Sequence, residues 1–351
     1  MHKAPVSEKG VTLASSALLA ACLLVSRPAW AEPLDRKALA RLGRSVLRIE
    51  AVNGSGRVAI GSGVIVADDH VMTNCHVTRG ATSVMVVQGS ASARVDAQAA
   101  EVVRDLCLLR VPGLQAAAVP PVASTRSLRQ GEELVALGYT GGAGLQISSG
   151  RVVALHRWEG SHVIQCSNGF SSGASGGGLF DQNGALVGIL MFRLPGGKAQ
   201  FYAAPIDWLS ERSGSELAFA PVQPLSGRAF WEEAPDAQPW FLQAAALEQS
   251  GRWSALVQLA ERWANEVTDD PEPHYLQAVA REGLGQPESA ILAWQRSLAI
   301  DPDYSRSWAG LARLYHRTGR ADDAQQAIAS LMAHDPGLAL EVSAELKAER
   351  K

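Results

Sequence analysis

The sequence predicts two unlike folding units in one chain, a β-rich domain followed by an α-helical repeat array. Three observations carry this reading. Between Ser45 and about Leu209 the apolar residues come in short runs separated by Gly, Pro, Asn or Asp. Beyond Pro239 the apolar rhythm becomes helical and repeats every 34 residues, bringing Gly251, Gly285 and Gly319 into step. Between the two, Gly214, Pro221, Pro224, Gly227, Pro235 and Pro239 interrupt every regular pattern. A length of 351 residues accommodates two such domains.

The chain opens on a basic start, His2, Lys3 and Lys9, followed by an apolar run from Val11 to Val25 and the small-x-small site Ala29–Trp30–Ala31. That is the layout of a secretory signal, residues 1–31, cleaved after Ala31. The alternative is lipoprotein anchoring at Cys22, because Leu19–Ala20–Ala21–Cys22 resembles a lipobox. The protein is therefore expected to be exported, periplasmic or secreted, with no membrane span in the mature chain. The net charge of −3 gives no push toward nucleic acid. In residues 32–44, Leu34, Ala38, Leu39 and Leu42 fall at helical spacing and predict a short amphipathic helix.

Residues 45–213 read as all-β. Val46–Ile49, Ala59–Ile60, Gly63–Val66, Val71–Thr73, Ser83–Val87, Glu101–Val103, Cys107–Val111 and Leu134–Leu137 are strand-like, as are Gly150–Leu155, His162–Gln165, Leu186–Met191 and Gln200–Ala203. Many short strands point to barrels or a sandwich. Within them lies Ser171–Ser172–Gly173–Ala174–Ser175–Gly176–Gly177–Gly178, a serine framed by glycines. A flexible linker would have the same composition. Here, however, Leu179–Phe180, an Asn183–Gly184 turn and Leu186–Leu190 follow at once, so the loop is wedged against core strands. A serine hydroxyl needs a base to become a nucleophile, and the N–H groups of Gly173 and Ser175 could converge as an oxyanion hole. Upstream, His76 ends the strand Val71–Thr73 and Asp105 opens the strand Cys107–Val111. In the order His76, Asp105, Ser175 they supply a base, an orienting carboxylate and a nucleophile.

Gly61–Ser62–Gly63–Val64, Thr73–Asn74–Cys75–His76–Val77, Asp105–Leu106–Cys107–Leu108–Leu109–Arg110–Val111 and Ser172–Gly173–Ala174–Ser175–Gly176–Gly177–Gly178–Leu179–Phe180–Asp181 together resemble the trypsin-like serine peptidases, in particular the bacterial, disulfide-poor, HtrA-like group. Phe201–Leu209 is similar to that group's closing strand and helix. The resemblance implies two six-stranded antiparallel β-barrels with a cleft between them. It also implies a serine endopeptidase that hydrolyses polypeptide substrates. The chain order of the three residues is the chymotrypsin-type order. By similarity the substrate pocket has its base near Gly169 and Phe170 and its wall near Met191, Phe192 and Arg193. No carboxylate sits six residues before Ser175, because Gly169 is there, so an apolar or small side chain is expected over Lys or Arg. Ala174 stands where animal-type relatives carry an acid that pairs with a freed N-terminus, so activation by that route is not expected.

Cys75, Cys107 and Cys166 remain after export, an odd number, so at most one intramolecular disulfide forms. If His76 and Asp105 are hydrogen-bonded, the neighbouring Cys75 and Cys107 come within bridging reach. Two small buried thiols packing as hydrophobes are the alternative. Cys166 is the expected free thiol in either case.

Residues 214–238 read as a linker, pinned to one domain by Phe230 and Trp231, so a chain ending near Ser213 is expected to fold by itself. In residues 239–349 the period of 34 also brings Trp240, His274 and Trp308 into step, and Pro302 with Pro336. This resembles tetratricopeptide repeats, with units at about 239–270, 273–304 and 307–338 and a capping helix over 338–349. Trp240, Trp253, Trp263, Trp294 and Trp308 are read as core residues. The array is expected to dock a protein or peptide partner. No metal-ligand spacing or phosphate loop appears, so no cofactor is inferred. The competing reading is an inert peptidase-like scaffold that binds partners through its repeats.

Overall fold

A computed structural model describes residues 34–116, 118–141, 144–194, 200–210 and 218–349. The expected signal segment and Cys22 lie outside them. Pro33–Lys351 forms one compact unit. Among the described residues no helix is long and apolar enough to cross a membrane.

The first helix, α1 (Arg36–Gly43), starts at Asp35, whose carboxylate caps the Ala38 N–H at 2.6 Å. A first sheet follows: β1 (Val46–Asn53), β2 (Val58–Ala67), β3 (His70–Thr73), the one-turn helix α2 (Cys75–Thr78), β4 (Ala81–Gln88), β5 (Ala91–Arg94), β6 (Ala97–Glu101) and β7 (Leu106–Arg110). The second is built from β8 (Glu133–Tyr139), β9 (Leu145–Trp158), β10 (Ser161–Cys166), β11 (Gly178–Phe180), β12 (Leu186–Leu194) and β13 (Gln200–Pro205). Helix α3 (Asp207–Ser210) and the two-residue strand β14 (Ala220–Pro221) complete the β-rich part.

The second sheet closes into a six-stranded antiparallel barrel in the order β10-β13-β12-β11-β8-β9. The first is an eight-stranded sheet, β14-β6-β7-β3-β2-β1-β4-β5, rather than a closed barrel of six strands. Two of its strands carry no sequence signal. β5 reads Ala-Ser-Ala-Arg, with no β-branched or large apolar side chain, and β14 is a fragment containing Pro221. Both stand at edges, where weak strand chemistry is tolerated. The strand expected at Glu101–Val103 lies instead at Ala97–Glu101, sharing only Glu101 with the expectation. The chain turns there, with the Asp105 N–H on the Val102 carbonyl at 3.2 Å.

Helices α4 (Trp240–Gln249), α5 (Trp253–Glu266), α6 (Glu272–Gly283), α7 (Pro287–Ile300), α8 (Ser305–Arg317) and α9 (Ala321–His334) form three hairpins, and α10 (Pro336–Ala348) follows. Each hairpin turns on a glycine at φ 64°, 71° and 77° for Gly251, Gly285 and Gly319. That left-handed backbone is disfavoured for any residue with a Cβ, which is why glycine recurs at this point of the period. Tryptophans seal the stack: a Cβ on Gly283 would sit 2.5 Å from the Trp253 ring, and Trp294, 1% exposed, covers Gly310.

The packing does not break where the composition does. Leu47, Ile49, Ile65, Val71 and Leu109 fill the first sheet, and Leu134, Ile164, Leu179 and Leu190 fill the barrel. A third cluster runs from the first sheet through the barrel to the first three repeat helices. It takes in Met72 and Leu108, then Phe192, Tyr202 and Trp208, then Phe230, then Phe241, Leu256 and Trp263. The described part of the expected linker is therefore anchored in core at Ala229 and Phe230, with its other residues half-buried or exposed. Its Phe230 N–H donates to the Val103 carbonyl at 2.9 Å, and its ring is 3% exposed.

A polar seam runs alongside this cluster. His156 on β9 bonds Glu272 of α6 through Nδ1 at 2.8 Å and Gln165 through Nε2 at 3.1 Å, with its ring stacked 4.4 Å from Phe241. Arg157 pairs with Asp269 at 2.9 Å. Burial, then the charge of Glu272, pushes the neighbouring Asp270 carboxyl up to about 6.

Candidate active site

Ser175 lies in the connection 167–177 between β10 and β11, which is bonded to Ser62 of the first sheet. Glycine is required there by close approach. Gly176 has φ 87°, and a Cβ on it would collide with the Ser62 carbonyl; Gly173 has φ 98°, with the Tyr139 carbonyl 2.8 Å from where its Cβ would be. The loop is thus a rigid, backbone-packed element.

Two adjacent strands bring the other two residues together. β3 pairs with β7 in the register Thr73↔Cys107, so the chain leaving β3 meets the chain entering β7. His76 lies in α2, just beyond the first, and Asp105 just before the second. Asp105 is fully buried at φ 56°, in the left-handed region that Asp tolerates better than most residues. Its carbonyl accepts from Asn74 Nδ2 at 3.0 Å and from the Cys75 N–H at 3.3 Å. Its carboxylate accepts the His76 N–H on Oδ1 at 2.9 Å and His76 Nδ1 on Oδ2 at 2.6 Å. A carboxylate only accepts, so Nδ1 carries the proton and Nε2 of the neutral ring is left as the basic nitrogen. Cys75 and Cys107 are joined by a disulfide with a Cα separation of 4.9 Å. The bridge ties the two segments together and, by loop closure, contributes about 3–4 kcal/mol. Cys166 is a buried free thiol, its pKa pushed up to about 12 by burial.

The Ser175 hydroxyl is half-buried and donates to the Met191 carbonyl at 3.1 Å. Among the described residues the N–H groups of Gly173 and Ser175 have no acceptor. Their direction is set by their neighbours. The Gly141 N–H holds the Ser172 carbonyl at 3.0 Å, and in a trans peptide the Gly173 N–H then points the opposite way. The Gly173 carbonyl is held by Ser62 Oγ at 2.7 Å.

Of the five pocket residues read by similarity, Met191 bonds Ser175 through its carbonyl. Gly169 and Phe170 lie beside Phe201, with the two Phe rings 4.9 Å apart, and the exposed Arg193 pairs with Phe201 across the β12–β13 ladder. Phe192 turns elsewhere, stacking on Tyr202 at 4.8 Å and on Trp231 at 5.0 Å.

Two residues of the site have roles that the sequence does not signal. Ser62 is fully buried. It gives its N–H to the Ser175 carbonyl at 2.8 Å, bonds Gly173 as above, and accepts the Tyr139 N–H at 2.8 Å. It latches the first sheet to the serine loop. Trp231, from the segment after the barrel, donates its indole N–H to Asp105 Oδ2 at 3.1 Å and meets the His76 ring edge-on at 5.5 Å.

Two regions of the chain match known protein families. Residues 61–189 match the trypsin-like peptidase domain and residues 283–346 the tetratricopeptide repeat. The periplasmic serine endoprotease DegP of Escherichia coli (strain K12) is 35% identical over 150 residues, which cover 39% of this chain and 31% of that protein. The magnetosome formation protease MamE of Paramagnetospirillum magneticum (strain ATCC 700264 / AMB-1) is 29% identical over 198 residues, 48% of this chain and 27% of that protein. A solved structure of the Rv3671c protease from M. tuberculosis in its active form aligns with TM-score 0.49 at 22% identity, over 65% of this chain and 99% of that one. The chain spans about a third of the length of the curated relatives it matches. It carries a trypsin-like peptidase domain followed by tetratricopeptide repeats. Its curated relatives include serine endoproteases of the DegP type.

Proposed function

We propose that the chain is an exported serine endopeptidase whose repeat array docks a protein or peptide. The observation that carries the reading is the buried Asp105 carboxylate on His76 Nδ1, together with a serine loop in which the Gly173 and Ser175 amides have no acceptor among the described residues. On substrate binding, Ser175 Oγ leaves the Met191 carbonyl and attacks the scissile carbonyl carbon. His76 Nε2 takes its proton and returns it to the leaving amine, while Asp105 holds the ring and stabilises its charged form. The Gly173 and Ser175 N–H groups receive the developing oxyanion, a contribution worth a factor of about 100–1000 per donor in turnover. Gly169 at the expected pocket base supports cleavage after apolar or small side chains. Relatives that are periplasmic by name support export. The stacked hairpins support docking of a polypeptide, because stacked helix pairs in general curve into a concave surface.

The test is hydrolysis of unfolded protein by wild type and by Ser175→Ala. The variant is expected to keep its thermal midpoint and lose at least about 1000-fold in rate. Retention of wild-type rates by the folded variant would refute the reading.

A further inference from the structure

We infer that Trp231 is a positioning residue for the His76–Asp105 pair, delivered to it by the repeat side of the molecule. The inference rests on the endopeptidase reading above. Asp105 Oδ2 has four lone-pair directions to share with Oδ1 and two donors on it, His76 Nδ1 and the Trp231 indole. The indole N–H fixes where that oxygen sits, and through it the plane of the imidazole. The Trp231 ring is itself held from both sides, edge-on to His76 and stacked on Phe192 at 5.0 Å.

The residues on either side of Trp231 are anchored independently. Phe230 is buried against Trp158 with ring centres 4.2 Å apart. Glu232 binds Arg79 of the first sheet's side and accepts the Ala229 N–H at 3.0 Å. Burial pushes the Glu232 carboxyl up, but these hydrogen bonds and the Arg79 charge prevail and hold it below the usual carboxylate range. The Trp231 carbonyl accepts from Gln238 Nε2 at 2.9 Å, and the Gln238 carbonyl accepts from Gln243 Nε2 of α4 at 2.6 Å. A continuous chain of contacts therefore leads from the first repeat helix to Asp105. No group in the peptidase domain's own sequence motifs supplies this third donor to the carboxylate.

The electrostatic consequence has a sign. A donor on Asp105 Oδ2 withdraws charge that would otherwise stabilise the imidazolium. Removing it leaves the carboxylate a stronger partner for His76 and raises the pH at which His76 loses its proton. The other charges facing the pair, Arg79 and Glu232, neutralise each other and are unchanged by the substitution.

Trp231→Phe keeps the ring stacking and removes only the N–H. Against a small peptide substrate, kcat is expected to fall about tenfold with KM within about threefold. The acid limb of the kcat/KM profile is expected to rise by about half a unit or more. A purely structural role would lower the active fraction without moving that limb. NMR titration of the His76 ring gives the same midpoint shift with no substrate present. In the unaltered protein the Trp231 indole N–H signal should titrate with the His76 midpoint, a readout that survives if the variant does not fold. Unchanged His76 midpoints, or an indole signal indifferent to His76, would overturn the inference even in an active peptidase. A shifted midpoint in a protein that cleaves nothing at Ser175 would uphold the coupling and overturn the endopeptidase reading instead.

Discussion

Asp105→Asn is expected to lower kcat/KM by about four orders of magnitude while leaving the protein folded. The effect follows from which atoms meet at residue 105. Oδ1 takes the His76 backbone N–H and Oδ2 takes both His76 Nδ1 and the Trp231 indole. An asparagine oxygen can replace Oδ1, so the backbone bond survives. The amide nitrogen then stands where two donors converge, and three N–H groups cannot satisfy one another. The least costly escape moves the imidazole proton from Nδ1 to Nε2, the tautomer that cannot accept the Ser175 proton. The asparagine placed the other way would meet the His76 backbone N–H with its own NH2, which is no better. The disulfide between Cys75 and Cys107 holds both segments in place regardless. The loss should therefore appear in kcat, with the melting temperature close to wild type. A variant within tenfold of wild type would show that the carboxylate is not what orients His76.

Ending the chain at Ser213 is expected to abolish soluble, active protein. The sequence alone predicts the opposite, because the Pro- and Gly-rich stretch after 213 looks like a tether. The packing reverses that expectation. Phe230, Trp231 and Phe241 pack against Trp158, Phe192, Tyr202 and Trp208 in one apolar cluster. Burying each such aromatic side chain is worth about 2–3 kcal/mol, so the three together approach the few kcal/mol that hold a domain folded. The cut also strips His156 of Glu272 and Asp105 of its indole donor. Size-exclusion chromatography and hydrolysis of a small ester check this. An aggregated or inactive product is expected. A monomeric fragment with wild-type turnover would show that the barrels need nothing from the rest of the chain.

The sequence was most informative where local rules act alone. Period-34 spacing of Gly251, Gly285 and Gly319 marks the hairpin turns because a left-handed backbone at each admits little else. The short apolar runs mark the strands of both sheets, and two of the three motif residues, His76 and Asp105, are hydrogen-bonded to one another. The edge strands β5 and β14 were illegible because an edge imposes little on its residues. Ser62 and Trp231 were illegible for a different reason. Their roles depend on contacts to residues 111 and 126 positions away, and nothing local in Gly-Ser-Gly or Phe-Trp-Glu encodes those partners. In the expected linker, proline and glycine report an irregular backbone, and such a backbone still seats Phe230 in core.

The most direct measurement is covalent labelling of the intact protein by a fluorophosphonate, followed by peptide mapping. Such a probe phosphonylates only a serine whose proton is taken by a base and whose oxyanion is stabilised. Stoichiometric modification confined to Ser175, abolished in His76→Ala and in Ser175→Ala, is the result expected of the arrangement described. Folded wild-type protein left unmodified at Ser175, or modified equally well without His76, would contradict it.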